Sequence, residues 1–169
     1  MLLNLLFKLR FITMKILYIC THNRCRSILS EAITNHLSNG KIQAFSAGSQ
    51  PAGEVHPLSL KYLAEKGISI EGLQSQSWDD FETEQPDIVV TVCDNAANEA
   101  CPVWFGDTIK LHWGLPDPSK LEGSEAELRD AFFAVMTTIE KRVQQLLDLN
   151  LATLTLSERK TALTNLVKE

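Results

Sequence analysis

No stretch of this chain approaches the roughly 18 consecutive apolar residues that a membrane-spanning helix requires. Nor is there a surplus of basic residues: 16 Lys and Arg stand against 21 Asp and Glu, for a formal net charge of −5. A general nucleic-acid binder carries a basic stripe, so any anionic ligand here must be met by a local site. Cysteine is sparse, with four residues at positions 20, 25, 93 and 101. None are in Cys-x-x-Cys spacing, which argues against a structural zinc site. A secretory signal is also missing. In Met1 to Thr13 the charges Lys8 and Arg10 follow the apolar stretch Leu2–Phe7 instead of preceding it, and no small-residue cleavage site appears. The expectation is a cytoplasmic, monomeric protein with no nucleic-acid or membrane partner. In a reducing compartment, thiols are more often catalytic, redox-active or metal-bound than locked in structural disulfides.

Repeats, low-complexity tracts and linkers are equally absent, so the 169 residues, 44% of them hydrophobic, read as one domain with a sizeable core. Residues 1–13 form an N-terminal extension, either an upstream start-site artefact or a loosely held tail. Residues 14–149 form the domain proper, and 150–169 a C-terminal helical tail. Lys15–Cys20 is short, apolar and without alternation, as a strand buried on both faces is; Ile42–Ala47 reads as a second strand, Ile88–Cys93 as the clearest one and Thr108–His112 as a weaker fourth. Between them lie helical patterns: one N-capped by Ser27 and closed by Asn39-Gly40, and one from His56-Pro57 to Gly67. Trp78–Phe81 can form a helical turn. A long amphipathic helix spans Ser124–Leu149, with Leu128, Phe132, Val135, Ile139, Val143 and Leu146 at helical spacing, and a last helix spans Ser157–Val167. This alternation predicts an α/β, three-layer αβα architecture with a four-stranded parallel sheet. Ligands in such sheets bind outside the carboxyl ends of the strands, where Cys20, Cys93 and Asp117 all fall.

The stretch Ile16–Ser27 carries the chemistry. An apolar strand ends on Cys20, and a six-residue loop, Thr21 to Arg26, leads into a helix. Backbone N–H groups of such a loop converge on one point, and the helix dipole adds partial positive charge there. Arg26 supplies a planar fork that fits two oxygens of a tetrahedral anion. The same field favours a thiolate at Cys20, to which the Ser27 hydroxyl can donate. Asp117 lies between Pro116 and Pro118, which restrict its backbone; it reads either as a stiffly held general acid or as a simple Asp-Pro turn. Cys93 and Cys101, eight positions apart, read as two unrelated thiols or as a redox pair. His56 and His112 read as capping or packing residues, and Trp78, Trp104 and Trp113 as core or rim.

The segment Cys20-Thr-His-Asn-Arg-Cys-Arg-Ser27 resembles the phosphate-binding loop of low-molecular-weight protein tyrosine phosphatases and of the arsenate reductases that share their fold. The resemblance runs from Met14 to about Asp148 and includes Ser46-Ala-Gly48, Val90-Thr-Val-Cys93 and His112-Trp-Gly-Leu-Pro-Asp-Pro118. It implies Cys20 as nucleophile, Asp117 as acid, and Thr21, His22, Asn23, Arg24, Cys25, Arg26 and Ser27 as the oxyanion-binding loop. Arg24 stands where Ser is usual and His22 where a small residue is common. The phosphatase branch commonly follows Asp-Pro with tyrosines; here Ser119 and Lys120 follow, which points away from phosphotyrosine. Cys93 and Cys101 match the reductases' relay, in which a thiolate takes up arsenic(V), Cys93 attacks Cys20 as arsenite leaves, and Cys101 then attacks Cys93. Cys25 lies outside that relay. Glu31 and Ser46 match cation-site positions of some arsenate reductases, but no metal is assigned. The resemblance implies no tightly bound cofactor and an external dithiol reductant, thioredoxin or a glutathione/glutaredoxin system. The competing readings are a phosphatase acting on phosphate monoesters and a non-catalytic oxyanion sensor or partner-binding protein.

Overall fold

The computed structural model describes residues 13–99, 102, 105–106 and 108–167; Cys101 and Trp104 lie outside the described residues. Four parallel strands, β1 (Met14–Ile19), β2 (Ile42–Ala47), β3 (Ile88–Thr91) and β4 (Ile109–His112), lie in the order β2-β1-β3-β4. The register pairs Tyr18 with Ser46 on one side and with Val90 on the other. All of β1 except Lys15 is buried, which explains its continuous apolar run: a central parallel strand has no solvent face.

Helix α1 (Arg26–Ser38) packs on β1 and β2. It also packs against α4 (Glu125–Asp148), and α2 (Pro57–Glu65) packs on both helices. The opposite face of β2 is covered by a 3-10 segment, Trp78–Glu84, whose Phe81 ring lies 5.4 Å from Phe45. Capping chemistry sets several boundaries. Asn39 ends α1 in the left-handed conformation, Ser124 and Glu127 form a reciprocal capping box at α4, and the His56 ring accepts from the Leu58 N–H at the start of α2.

Two expectations about the strand–helix joints need correction. Ser27 is not the N-cap of α1. The helix begins at Arg26 behind Cys25, and the Ser27 hydroxyl, fully buried, is engaged inside the loop. Strand β3 stops at Thr91 rather than Cys93, because Cys93 caps the short helix α3 (Asp94–Asn98), its sulfur accepting from the Ala96 N–H at 3.4 Å. The chain beyond α4 also reaches the core. Leu151 and Leu163, from a 3-10 turn (Leu151–Thr153) and from α5 (Leu156–Val167), are both buried in the main apolar cluster.

Phe132 sits at the helix junction, fully buried, with its ring 5.1 Å from that of Tyr62. Phe132→Ala is expected to cost about 3–5 kcal/mol in urea unfolding. A loss below about 1 kcal/mol would show that this junction is not part of the core.

Candidate active site

At the carboxyl edge of β1 and β3 the loop 20–26 closes around a cavity of about 170 Å³. Cys20, Thr21, His22, Arg24, Cys25 and Arg26 line it from the loop, and Cys93 and Asp117 from the facing segments. The expected loop, second thiol and acid are therefore brought together. Asn23 and Ser27 stand behind the wall, both fully buried.

Asn23 organises the loop. Its backbone is left-handed, with φ of 49°, a conformation that asparagine tolerates better than most side chains. Its amide donates to Ser27 Oγ at 2.8 Å and to Ser46 Oγ at 2.9 Å, while its Oδ1 accepts from the Gln76 N–H at 2.8 Å. A serine hydroxyl has one proton. Ser46 gives its proton to Glu31 Oε2, 2.5 Å away. With a lone pair of Ser27 taken by Asn23, the Ser27 proton is free to be donated to Cys20 Sγ, 3.0 Å away. A donor so placed sets its partial positive charge against the Cys20 sulfur. Gly48 closes the floor: a Cβ there would stand 2.5 Å from the Thr21 carbonyl oxygen and 2.8 Å from that of Cys20, so a side chain would push the loop outward.

Arg26 reaches across to the loop after β4. Its Nη1 donates to the Leu115 carbonyl at 3.0 Å and its Nη2 to Asp117 Oδ2 at 3.2 Å. The other Asp117 oxygen accepts from the Ser119 N–H and, at 2.6 Å, from the Ser119 hydroxyl. Burial pushes the Cys25 thiol up to about 12, which keeps this neighbour of the nucleophile inert. His56 is lowered, by burial first and then by the Arg24 guanidinium, so it stays neutral on the rim. Lys120 also lines the cavity; its only signal in the sequence was its place beside the Asp-Pro motif. Glu99, which accepts from Thr21 Oγ1 at 3.1 Å, carries no signal in the sequence.

The chain matches the family model described as low molecular weight phosphotyrosine protein phosphatase over residues 15–160. It belongs to this family. Within it, the chain is similar to an arsenate reductase of Halalkalibacterium halodurans, 34% identical over 76% of this chain and 91% of that one. It is similar, too, to a glutaredoxin arsenate reductase of Synechocystis sp., 31% identical over 79% of this chain and 95% of that one. A solved arsenate reductase in the phosphate-binding state superposes with a TM-score of 0.67 at 28% identity, covering 80% of this chain and 98% of that one. In this chain the loop 20–26 is the joint between β1 and α1.

Two measurements probe the buried network. Ser27→Ala removes the hydroxyl that points at Cys20, and alkylation of Cys20 by iodoacetamide at pH 7 is expected to slow about tenfold, the equivalent of one lost hydrogen bond to a charged group. An unchanged rate would mean that the hydroxyl does not polarise the sulfur. The second concerns Glu31, whose carboxyl is pushed from 4.5 to about 7 by burial, against the pull of the Ser46 hydroxyl. The folded chain keeps that proton where the unfolded chain has released it. The contribution is therefore present at low pH and is lost as pH rises from about 4.5 to about 7, by about 3 kcal/mol. Urea unfolding across that range should show a shallower pH dependence in Glu31→Gln; parallel curves for the two proteins would refute the linkage.

Proposed function

We propose that this protein reduces arsenate to arsenite by a cysteine relay, as part of arsenic detoxification. One observation carries the reading: a second thiol, Cys93, borders the same cavity as the nucleophile, its sulfur 3.8 Å from the hydroxyl of Thr21, the residue after Cys20. Hydrolysis of a phosphate ester requires only Cys20, Arg26 and an acid; reduction requires a thiol near the nucleophile's sulfur.

In this reading the loop N–H groups and Arg26 hold the arsenate oxygens. The Cys20 thiolate attacks arsenic, and one oxygen leaves as water with the help of a proton passed by Asp117. Cys93 then attacks Cys20. A sulfur–sulfur bond forms, the sulfur–arsenic bond breaks, and its electron pair reduces arsenic(V) to arsenic(III), which departs as arsenite. Cys101, outside the described residues, completes the relay by attacking Cys93 and freeing Cys20. An external dithiol protein, thioredoxin or glutaredoxin with glutathione, then reduces the Cys93–Cys101 disulfide; the name of the Synechocystis relative supports a coupling of this kind. No tightly bound cofactor enters the scheme. The setting is a monomer in the cytoplasm, where thiols stay reduced; among the described residues no helix is long and apolar enough to cross a membrane.

Arsenite production coupled to thioredoxin tests the proposal. Cys20→Ser, Cys93→Ser and Cys101→Ser should each lower steady-state turnover by more than about 100-fold, since each removes a covalent step. Full turnover in Cys93→Ser or Cys101→Ser would overturn the relay. Inertness toward arsenate with brisk hydrolysis of aryl phosphates would place the chain with the phosphatases instead.

A further inference from the structure

A carboxylate with no role in the relay sits against it. Glu99 Oε1 accepts from Thr21 Oγ1 at 3.1 Å, and Glu99 Oε2 is buried without a partner among the described residues. Glu99 is the residue that ends α3; its N–H donates to the Ala96 carbonyl. The opposite end of α3 is Cys93, 3% exposed, with its sulfur 3.8 Å from Thr21 Oγ1. One hydroxyl thus stands between the second thiol and a carboxylate, at the two ends of one short helix.

A threonine hydroxyl has a single proton, and an ionised carboxylate only accepts. With that proton directed at Glu99, Thr21 offers Cys93 only a lone pair. A lone pair can receive an S–H; it cannot stabilise a sulfur anion. The charge of Glu99 acts in the same sense. The Ala96 N–H, donating to the sulfur at 3.4 Å, pulls the other way. Other charged or titratable groups beside Cys93 include Asp94 with its His112 partner on the solvent side, and, around the cavity, Cys20, His22, Arg24, Arg26, His56, Asp117 and Lys120.

We infer that Glu99 is a positioning residue that withholds the Thr21 hydroxyl proton from Cys93 and so holds down the nucleophilicity of that thiol. The inference rests on the relay proposed above, in which Cys93 attacks Cys20 as arsenite leaves. That step calls for the Glu99–Thr21 contact to open, so that the freed proton can turn to the Cys93 sulfur.

Alkylation of Cys93 tests this without arsenate, so its outcome is independent of whether the chain reduces arsenate. The background is Cys20→Ser with Cys101→Ser, and mass spectrometry separates label on Cys93 from label on Cys25. Glu99→Gln removes the charge, and its amide can donate to Thr21 Oγ1. Iodoacetamide should then label Cys93 about tenfold faster at pH 7, with the pH–rate profile moved about one unit toward acid. Glu99→Asp, which keeps the carboxylate, should stay nearer the parent rate. Adding Thr21→Val should remove most of the gain from Glu99→Gln, because the hydroxyl that transmits it is gone. An unchanged rate in Glu99→Gln, or the full gain persisting in Thr21→Val, would overturn the inference. Circular dichroism of each variant separates these outcomes from a lost fold.

Discussion

The setting of Cys20 depends on how the Asn23 side chain distributes its hydrogen bonds. One amide group meets α1 through Ser27, β2 through Ser46 and the segment before the 3-10 turn through the Gln76 N–H. Each of these groups is buried or half-buried, and an unmade hydrogen bond there would cost about 1–3 kcal/mol. The left-handed backbone at Asn23 is therefore held by three contacts at once. The same contacts leave the Ser27 proton free for the Cys20 sulfur, so the shape of the loop and the hydrogen bonding of the sulfur are coupled.

Strand order does the rest of the positioning. Because β1 and β3 are adjacent and parallel, their carboxyl ends bring Cys20 and Cys93 to one edge although 72 residues separate them. The β4 exit then delivers Leu115 and Asp117 to the same edge, where both accept from the Arg26 guanidinium. That guanidinium bridges the start of α1 to the acid loop. An arginine so placed is poised for an anion's oxygens as well as for Asp117, since both present planar or near-planar acceptor pairs.

Much of this was legible in sequence for a simple reason. Parallel strands buried on both faces write themselves as apolar runs, and β1 and β3 did so. The cavity's principal groups were legible because each is adjacent to a strand end. Ser27 misled because a serine before an apolar helical pattern is a good capping signal, and nothing local reveals that a buried asparagine four residues earlier has claimed its hydroxyl. The end of β3 shifted for a related reason, since a cysteine rarely advertises itself as a cap. Glu99 was beyond reach: its contact with Thr21 spans 78 positions, and a glutamate in a polar loop reads as solvated. The burial of Leu151 and Leu163 likewise depends on where the end of α4 delivers the chain.

The two thiols sit in mechanically different settings, and the proposed chemistry needs that difference. Cys20 belongs to a loop pinned by Asn23, Gly48 and the first turn of α1. Cys93 belongs to the start of a five-residue helix whose side-chain ties to the other described residues are few. Ala96 is buried, Thr21 holds Glu99, and His112 pairs with the well-exposed Asp94. An exposed pair of that kind adds little stability, and a helix this short is not stable by itself. Local opening of α3 is therefore cheap compared with opening the loop. A hydrolase would have no use for this contrast. For a disulfide relay it is a requirement, because one sulfur must stay fixed on its oxyanion site while the other travels.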